Sequence, residues 1–132
     1  MAAENAHVLT EEQRRLYARQ VLLRELGPSG QARLCQSRVC LDGVADARAA
    51  RVAHDYLQRA GLRVTSARDA EVVPVALPSA ERVRQVAGDA ALADCAAWLL
   101  GALAAVEAVK QCAGVGQRGQ LAACFVLNAE VE

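Results

Sequence analysis

Aromatic residues are scarce in this 132-residue sequence: Tyr17, Tyr56, Trp98 and Phe125 are the full set. Rings so few and so scattered make no stacking platform for single-stranded nucleic acid. An excess of either charge is lacking too, since Lys+Arg and Asp+Glu both number 15. A neutral chain offers no electrostatic basis for binding nucleic acid or an anionic membrane surface. Cys35, Cys40, Cys95, Cys112 and Cys124 are odd in number and contain no C-x-x-C spacing, which speaks against a disulfide framework or a zinc site. Free cysteines in apolar segments behave as small buried hydrophobes, and a reducing cytoplasm is the expected compartment. The opening MAAENAHVLTEEQ has no basic stretch leading into an apolar core, so no signal peptide is expected. The longest run free of charges and side-chain amides, Cys95 to Val106, is shorter than the about 20 apolar residues of a membrane span and suits a buried helix. No membrane partner is expected.

What the sequence has in quantity is alanine, which supplies much of a 54% hydrophobic fraction. Alanine favours helix and close packing, and predicts a helix-rich, tightly layered single domain over 1–132 with residues 1–9 flexible. Thr10 and Gln13 form a T-x-x-Q capping box that predicts a helix to about Glu25, with Leu16, Tyr17, Val21 and Leu23 as its apolar side. GPSG at 27–30 ends that helix, and a short helical turn opened by Ser29 or Gly30 runs through Leu34. Further on, Val72–Leu77 predicts a strand confined to an edge, short or bulged, because Pro74 has no amide hydrogen for the ladder. Ser79 caps a short helix to Ala87, and Ala91–Ala113 predicts one long central helix. Gly101 within it costs about 1 kcal/mol against alanine, and invites the close approach of a neighbouring backbone. Leu121–Leu127 predicts a last strand.

The segment Arg38–Gly61 organises the rest. Val39–Leu41 predicts a strand, and after a turn Ala49, Val52, Ala53, Tyr56, Leu57 and Ala60 repeat at helical spacing. Arg48, Arg51, Asp55 and Arg59 fill the opposite face, with Arg51 and Asp55 spaced as an i, i+4 pair. Gly61 ends the helix, and Leu62–Ser66 predicts a second strand parallel to the first. A strand, a sharp turn and a helix open a nucleotide-binding unit, whose turn carries G-x-G-x-x-G. Here Gly43 is followed by Ala45 and Arg48 at the second and third glycine positions. A methyl stands where a phosphate would approach, and a guanidinium where the helix would pack against the strand.

Tyr17-Ala18-Arg19-Gln20, Gly30-Gln31 and Ser37-Arg38-Val39 resemble the N-terminal signature of the ThiF/MoeB family, adenylating enzymes related to ubiquitin-activating enzymes. LLGALAAVEAVKQCAGVGQ at 99–117 is similar to that family's long helix, and the two blocks together span about half of the chain in the family's order. The resemblance implies an α/β fold: a reduced Rossmann-like three-layer domain of about four mostly parallel strands flanked by helices. It also implies a chemistry, activation of a ubiquitin-like or sulfur-carrier protein as an acyl adenylate with ATP and magnesium. Most of the parts for that chemistry are missing. Asp69 stands at the ribose position without the Asn-Leu-x-Arg-Gln segment that should follow, and Lys110 is the one lysine in the chain. The family's zinc-binding cysteine pairs, its thioester cysteine loop and much of its middle are absent. Arg19 is retained, and by resemblance it reaches across a dimer interface into a partner's ATP site, where it would stabilise transferring phosphates.

The implied protein is a non-catalytic pseudoenzyme without a cofactor, working as a homodimer or as a heterodimer with a ThiF/MoeB-like enzyme. Two alternatives stand beside it: a minimal adenylating enzyme that still uses ATP and magnesium, and a module that keeps only a carrier-protein docking surface. The remaining candidates have plainer readings. Cys95 and Cys112 lie in apolar helix with no base evident for nucleophilic catalysis. His7 and His54 are lone histidines, His54 on the polar face of its helix. Arg48 is either an anion ligand at a helix N-terminus or a surface arginine.

Overall fold

The computed structural model describes residues 8–41 and 43–116. Thr10 caps α1 (Glu11–Leu16) as its T-x-x-Q spacing predicts: its hydroxyl accepts from the Gln13 amide, and the Gln13 side chain accepts from the Thr10 amide. The helix does not run on to Glu25. Tyr17 leaves helical geometry at φ −105 and ψ 24, and a second short helix, α2 (Ala18–Val21), follows. The break turns Tyr17 and Val21 onto a small cluster of Leu9, Ala32 and Cys35, while Leu16 and Leu23 are exposed. Leu9, expected in a flexible leader, is buried there. Pro28 begins a helix and does not end one, since α2 stops at Val21: α3 (Gly27–Gln36) carries it in the first turn, where a missing amide hydrogen is no loss.

Next come β1 (Arg38–Leu41), α4 (Ala47–Ala60) and β2 (Arg63–Val64), with β1 and β2 parallel. Gly61 ends α4 with φ 104, a left-handed conformation in which a side chain would also collide with Gln31, Cys35 and Tyr17. β3 (Val72–Val75) joins the far side of β1, giving a parallel sheet in the order β2-β1-β3. Pro74 pairs with Cys40 and thus sits on an edge strand of the described sheet, where a proline is tolerated. Then follow α5 (Ala80–Ala87), capped by Ser79, a single 3-10 turn at Ala90–Leu92, and α6 (Ala93–Ala113), which ends at a left-handed Gly114. This is a mixed α/β fold with a three-stranded parallel sheet flanked by helices. The expected strand at Leu121–Leu127 lies outside the described residues.

Alternation along the strands decides where the core sits. Val39, Val64, Val73, Val75 and Leu41 belong to a cluster with Leu34 of α3, Ala53 and Leu57 of α4, and Ala105 and Ala108 of α6. Of the alternate residues, Val72 is buried, and Arg38, Cys40, Arg63 and Pro74 are half-buried or exposed. Across their face runs the connection 65–71, held where Arg38 donates to Asp69 at 3.1 Å and Glu71 at 3.3 Å. Among the described residues the sheet has three strands, where about four were expected. No helix occupies the β2–β3 connection.

α6 packs mainly on α4, α5 and α3. Gly101 is where α4 and α6 touch: a Cβ there would lie 2.3 Å from the Ala49 carbonyl oxygen, so only glycine fits. The expectation of a close backbone approach at Gly101 is met. α6 is also long and apolar enough to cross a membrane by length and composition, with 33% of its most apolar stretch buried.

Candidate functional site

In open parallel sheets, ligands bind beyond the carboxyl ends of the strands, where the chain departs to opposite sides. β1 is that point here, because β2 and β3 flank it. The turn at its end leads into α4 through Asp46, whose carboxylate accepts from the amides of Arg48 at 3.0 Å and Ala49 at 3.1 Å. An aspartate just before the first apolar repeat of a helix is an ordinary capping signal, and reading D-A-R-A that way would have found it. The glycine positions of the turn alone do not reveal Asp46.

Asp46 is 5% exposed, and burial of a carboxylate is costly unless it is paired. Arg48 supplies the pairing. Its guanidinium donates to both Asp46 oxygens, at 3.3 and 3.0 Å, and also to Asp94 at the start of α6 at 2.9 Å. The Arg48 side-chain bonds, followed by the amides of Ala49 and Arg48, hold the Asp46 carboxyl below its ordinary range against the opposing pull of burial. The two aspartates in turn raise Arg48. The Asp46 amide itself donates to the Pro78 carbonyl at 2.9 Å, which ties the turn to the chain leaving β3.

The consequence is chemical. The helix amides that would face a phosphate already face a carboxylate of the same chain, and the nearest arginine is engaged by two carboxylates. An incoming polyphosphate would meet negative charge at the spot where it needs donors. The residues present do not fit ATP at this turn. Gly43 is exposed and has open space around it, so no tight approach depends on it. Ala45 is half-buried.

The other candidates lie elsewhere. Asp69 binds Arg38 at the start of β1, the opposite end of the strand from the turn, and its Oδ1 also accepts from the Glu71 amide at 3.0 Å. Lys110 pairs with Glu107 at 2.8 Å in α6. His54 is half-buried on α4, Cys95 exposed and Cys112 half-buried on α6, and among the described residues no cluster of His, Cys, Asp or Glu could hold a metal. His7 and Cys124 lie outside the described residues.

Arg19 is exposed on α2, with no ion pair or hydrogen bond to its side chain among the described residues. Its neighbours explain how α2 is held. Gln20 donates to the Arg59 carbonyl at 3.3 Å, and Gln31 donates to the Ala60 carbonyl at 2.9 Å. Both glutamines of the signature segments therefore cap the last carbonyls of α4. Arg15, Leu16, Arg19 and Arg59 line one surface hollow between α2 and α4. Comparison with known proteins finds no matching family model, no matching curated protein and no matching solved structure.

Proposed function

We propose that this chain is a shortened, Rossmann-like protein of the ThiF/MoeB type that acts in the cytoplasm by associating with another subunit, and not by catalysis. Its partner is a second copy or an active adenylating enzyme, and it uses no nucleotide of its own. One observation carries the reading: Asp46, latched by Arg48, occupies the α4 amides that a nucleotide phosphate would need. The exposed Arg19, projected from a helix pinned by Gln20, is the group offered to the partner.

Isotope exchange between ATP and pyrophosphate, measured on the purified chain with magnesium and a ubiquitin-like or sulfur-carrier protein, tests the catalytic half. The expected rate equals that of the protein-free control, and robust exchange overturns the proposal. The associative half is read in a mixture with an active adenylating enzyme. There Arg19→Ala is expected to remove the effect of the added chain on exchange while leaving the complex intact. The effect of an arginine finger is about 10³-fold or more in rate, so its loss is readily seen.

A further inference from the structure

The last turn of α4 faces α1 and α2 across a hollow of about 360 Å³, and three arginines line it: Arg15 from α1, Arg19 from α2 and Arg59 from α4. No acidic residue lines it with them. Other hollows on the described surface mix charges or hold a single one. The hollow between α4 and α6 sets Asp55 beside Arg59, and the one on β1 and β3 has Arg68 alone. Exposed arginines without an ion pair are common on this chain, and singly they mean little. What sets this hollow apart is convergence: three come from three elements, in a chain whose acidic and basic residues are equal in number.

The walls are tied together. Gln20 donates to the Arg59 carbonyl at 3.3 Å, so the residue next to Arg19 is bonded to the backbone of Arg59 itself. Tyr17, the one ring in the lining, packs on Leu9, Ala32 and Cys35, and the break it makes puts Arg15 and Arg19 on separate helices. Neither Arg19 nor Arg59 has an ion pair among the described residues. Arg15 meets Glu11 at 3.3 Å, but both side chains are exposed and such a pair contributes little. Guanidinium groups gathered round one space repel one another until an anion joins them. The planar fork of arginine matches phosphate oxygens in pairs. A single carboxylate would balance one of the three charges, whereas linked phosphates bring a charge to each.

We infer that the hollow between α2 and α4 is a binding site for a free polyphosphate anion, held by Arg15, Arg19 and Arg59. The resemblance sends Arg19 alone into a partner's site and gives Arg15 and Arg59 no part, whereas this site is complete on one chain. It goes beyond the associative reading above and does not depend on it.

Isothermal titration calorimetry of the full chain with inorganic tripolyphosphate, in the absence of magnesium, tests it. One anion per chain is expected to bind with a Kd below about 1 mM, and no binding up to about 10 mM overturns the inference. Arg15→Gln and Arg59→Gln are each expected to weaken binding by about tenfold, the loss of one charge-assisted bond apiece. Both sites are exposed, and an unchanged far-ultraviolet circular dichroism spectrum shows that the variants fold. Arg68→Gln removes the same charge from a hollow with one arginine, and is expected to leave the Kd within about twofold. An equal loss in all three variants means attraction to charge in general and overturns the site, as does no loss in the first two. ATP, which carries the same phosphates on a nucleoside, is expected to bind no tighter than tripolyphosphate. Tighter binding of ATP shows that the nucleoside is read as well, and overturns the assignment to a free anion. Binding without any effect of the chain on an adenylating enzyme defeats the associative reading alone; such an effect without binding defeats this inference alone.

Discussion

Asp46 joins three features of the turn: it caps α4, pairs with Arg48, and through its amide ties the end of β1 to Pro78. Removing the carboxylate leaves two helix amides without their acceptor and the Arg48 guanidinium with Asp94 alone. Asp46→Ala is therefore expected to lower stability in urea by about 1–3 kcal/mol, the lost cap and the lost bonds to Arg48 together. Asp46→Asn keeps an acceptor for the amides and is expected to lose less. The two also differ with pH. The folded-state pKa of Asp46 is depressed, so its stabilisation is fully present above the unfolded value of about 3.9 and is lost as pH falls through the lower folded value. In urea titrations the wild-type chain is expected to weaken in that acid window. Asp46→Asn should flatten that part of the profile, and an unchanged profile would show that Asp46 is not the group responsible.

Between elements, the α4–α6 contact has the least room to adapt. Gly101→Ala gains about 1 kcal/mol of helix propensity but places a methyl against the Ala49 carbonyl, a backbone atom that cannot rotate aside. Overpacking costs about 1–3 kcal/mol, more where the obstacle is backbone, so the variant is expected to be destabilised by roughly 1–2 kcal/mol net in urea denaturation. A stabilised variant would mean that the two helices are not pressed together there. This contact was legible in the sequence, because a glycine inside an apolar helix has few other uses. The spacing of Ala49, Ala53 and Leu57, the stop at Gly61 and the edge placement of Pro74 were legible for the same reason: each depends on local chemistry with one dominant outcome. The split at Tyr17 was not, since it follows from Leu9, Ala32 and Cys35, which are distant in sequence and pull the ring and Val21 inward. The expected Arg51–Asp55 pair is not among the described ion pairs, as exposed i, i+4 pairs gain little. The turn itself was half legible: the missing glycines stood in plain sight, but the carboxylate replacing the ligand needed the geometry of α4 to be seen.

At the scale of the whole molecule, stability is distributed unevenly, and the proposed activity sits at the weak end. The main core joins β1, β3, α3, α4 and α6, and contains the fully buried Leu34, Val39 and Leu57. α1 and α2 bury no residue of their own. They are held by the partly buried Tyr17 and Val21 and by the bond from Gln20 to the Arg59 carbonyl. Elements with few buried contacts open independently of the core, so amide hydrogen exchange should be slowest in β1 and the buried turns of α4 and α6, and fastest in α1 and α2. Gln20→Ala removes the single side-chain bond that ties α2 to the end of α4. Exchange in 11–21 is expected to accelerate about tenfold, the equivalent of one ordinary hydrogen bond, while α4 and α6 keep their protection. An Arg19 carried on a loosened helix would then be presented less often in one geometry, and the variant should blunt any effect of this chain on an adenylating partner without touching Arg19. Uniform acceleration across all helices would instead place α1 and α2 within the same cooperative unit as the core, and would remove the reason to regard them as a separately mounted arm.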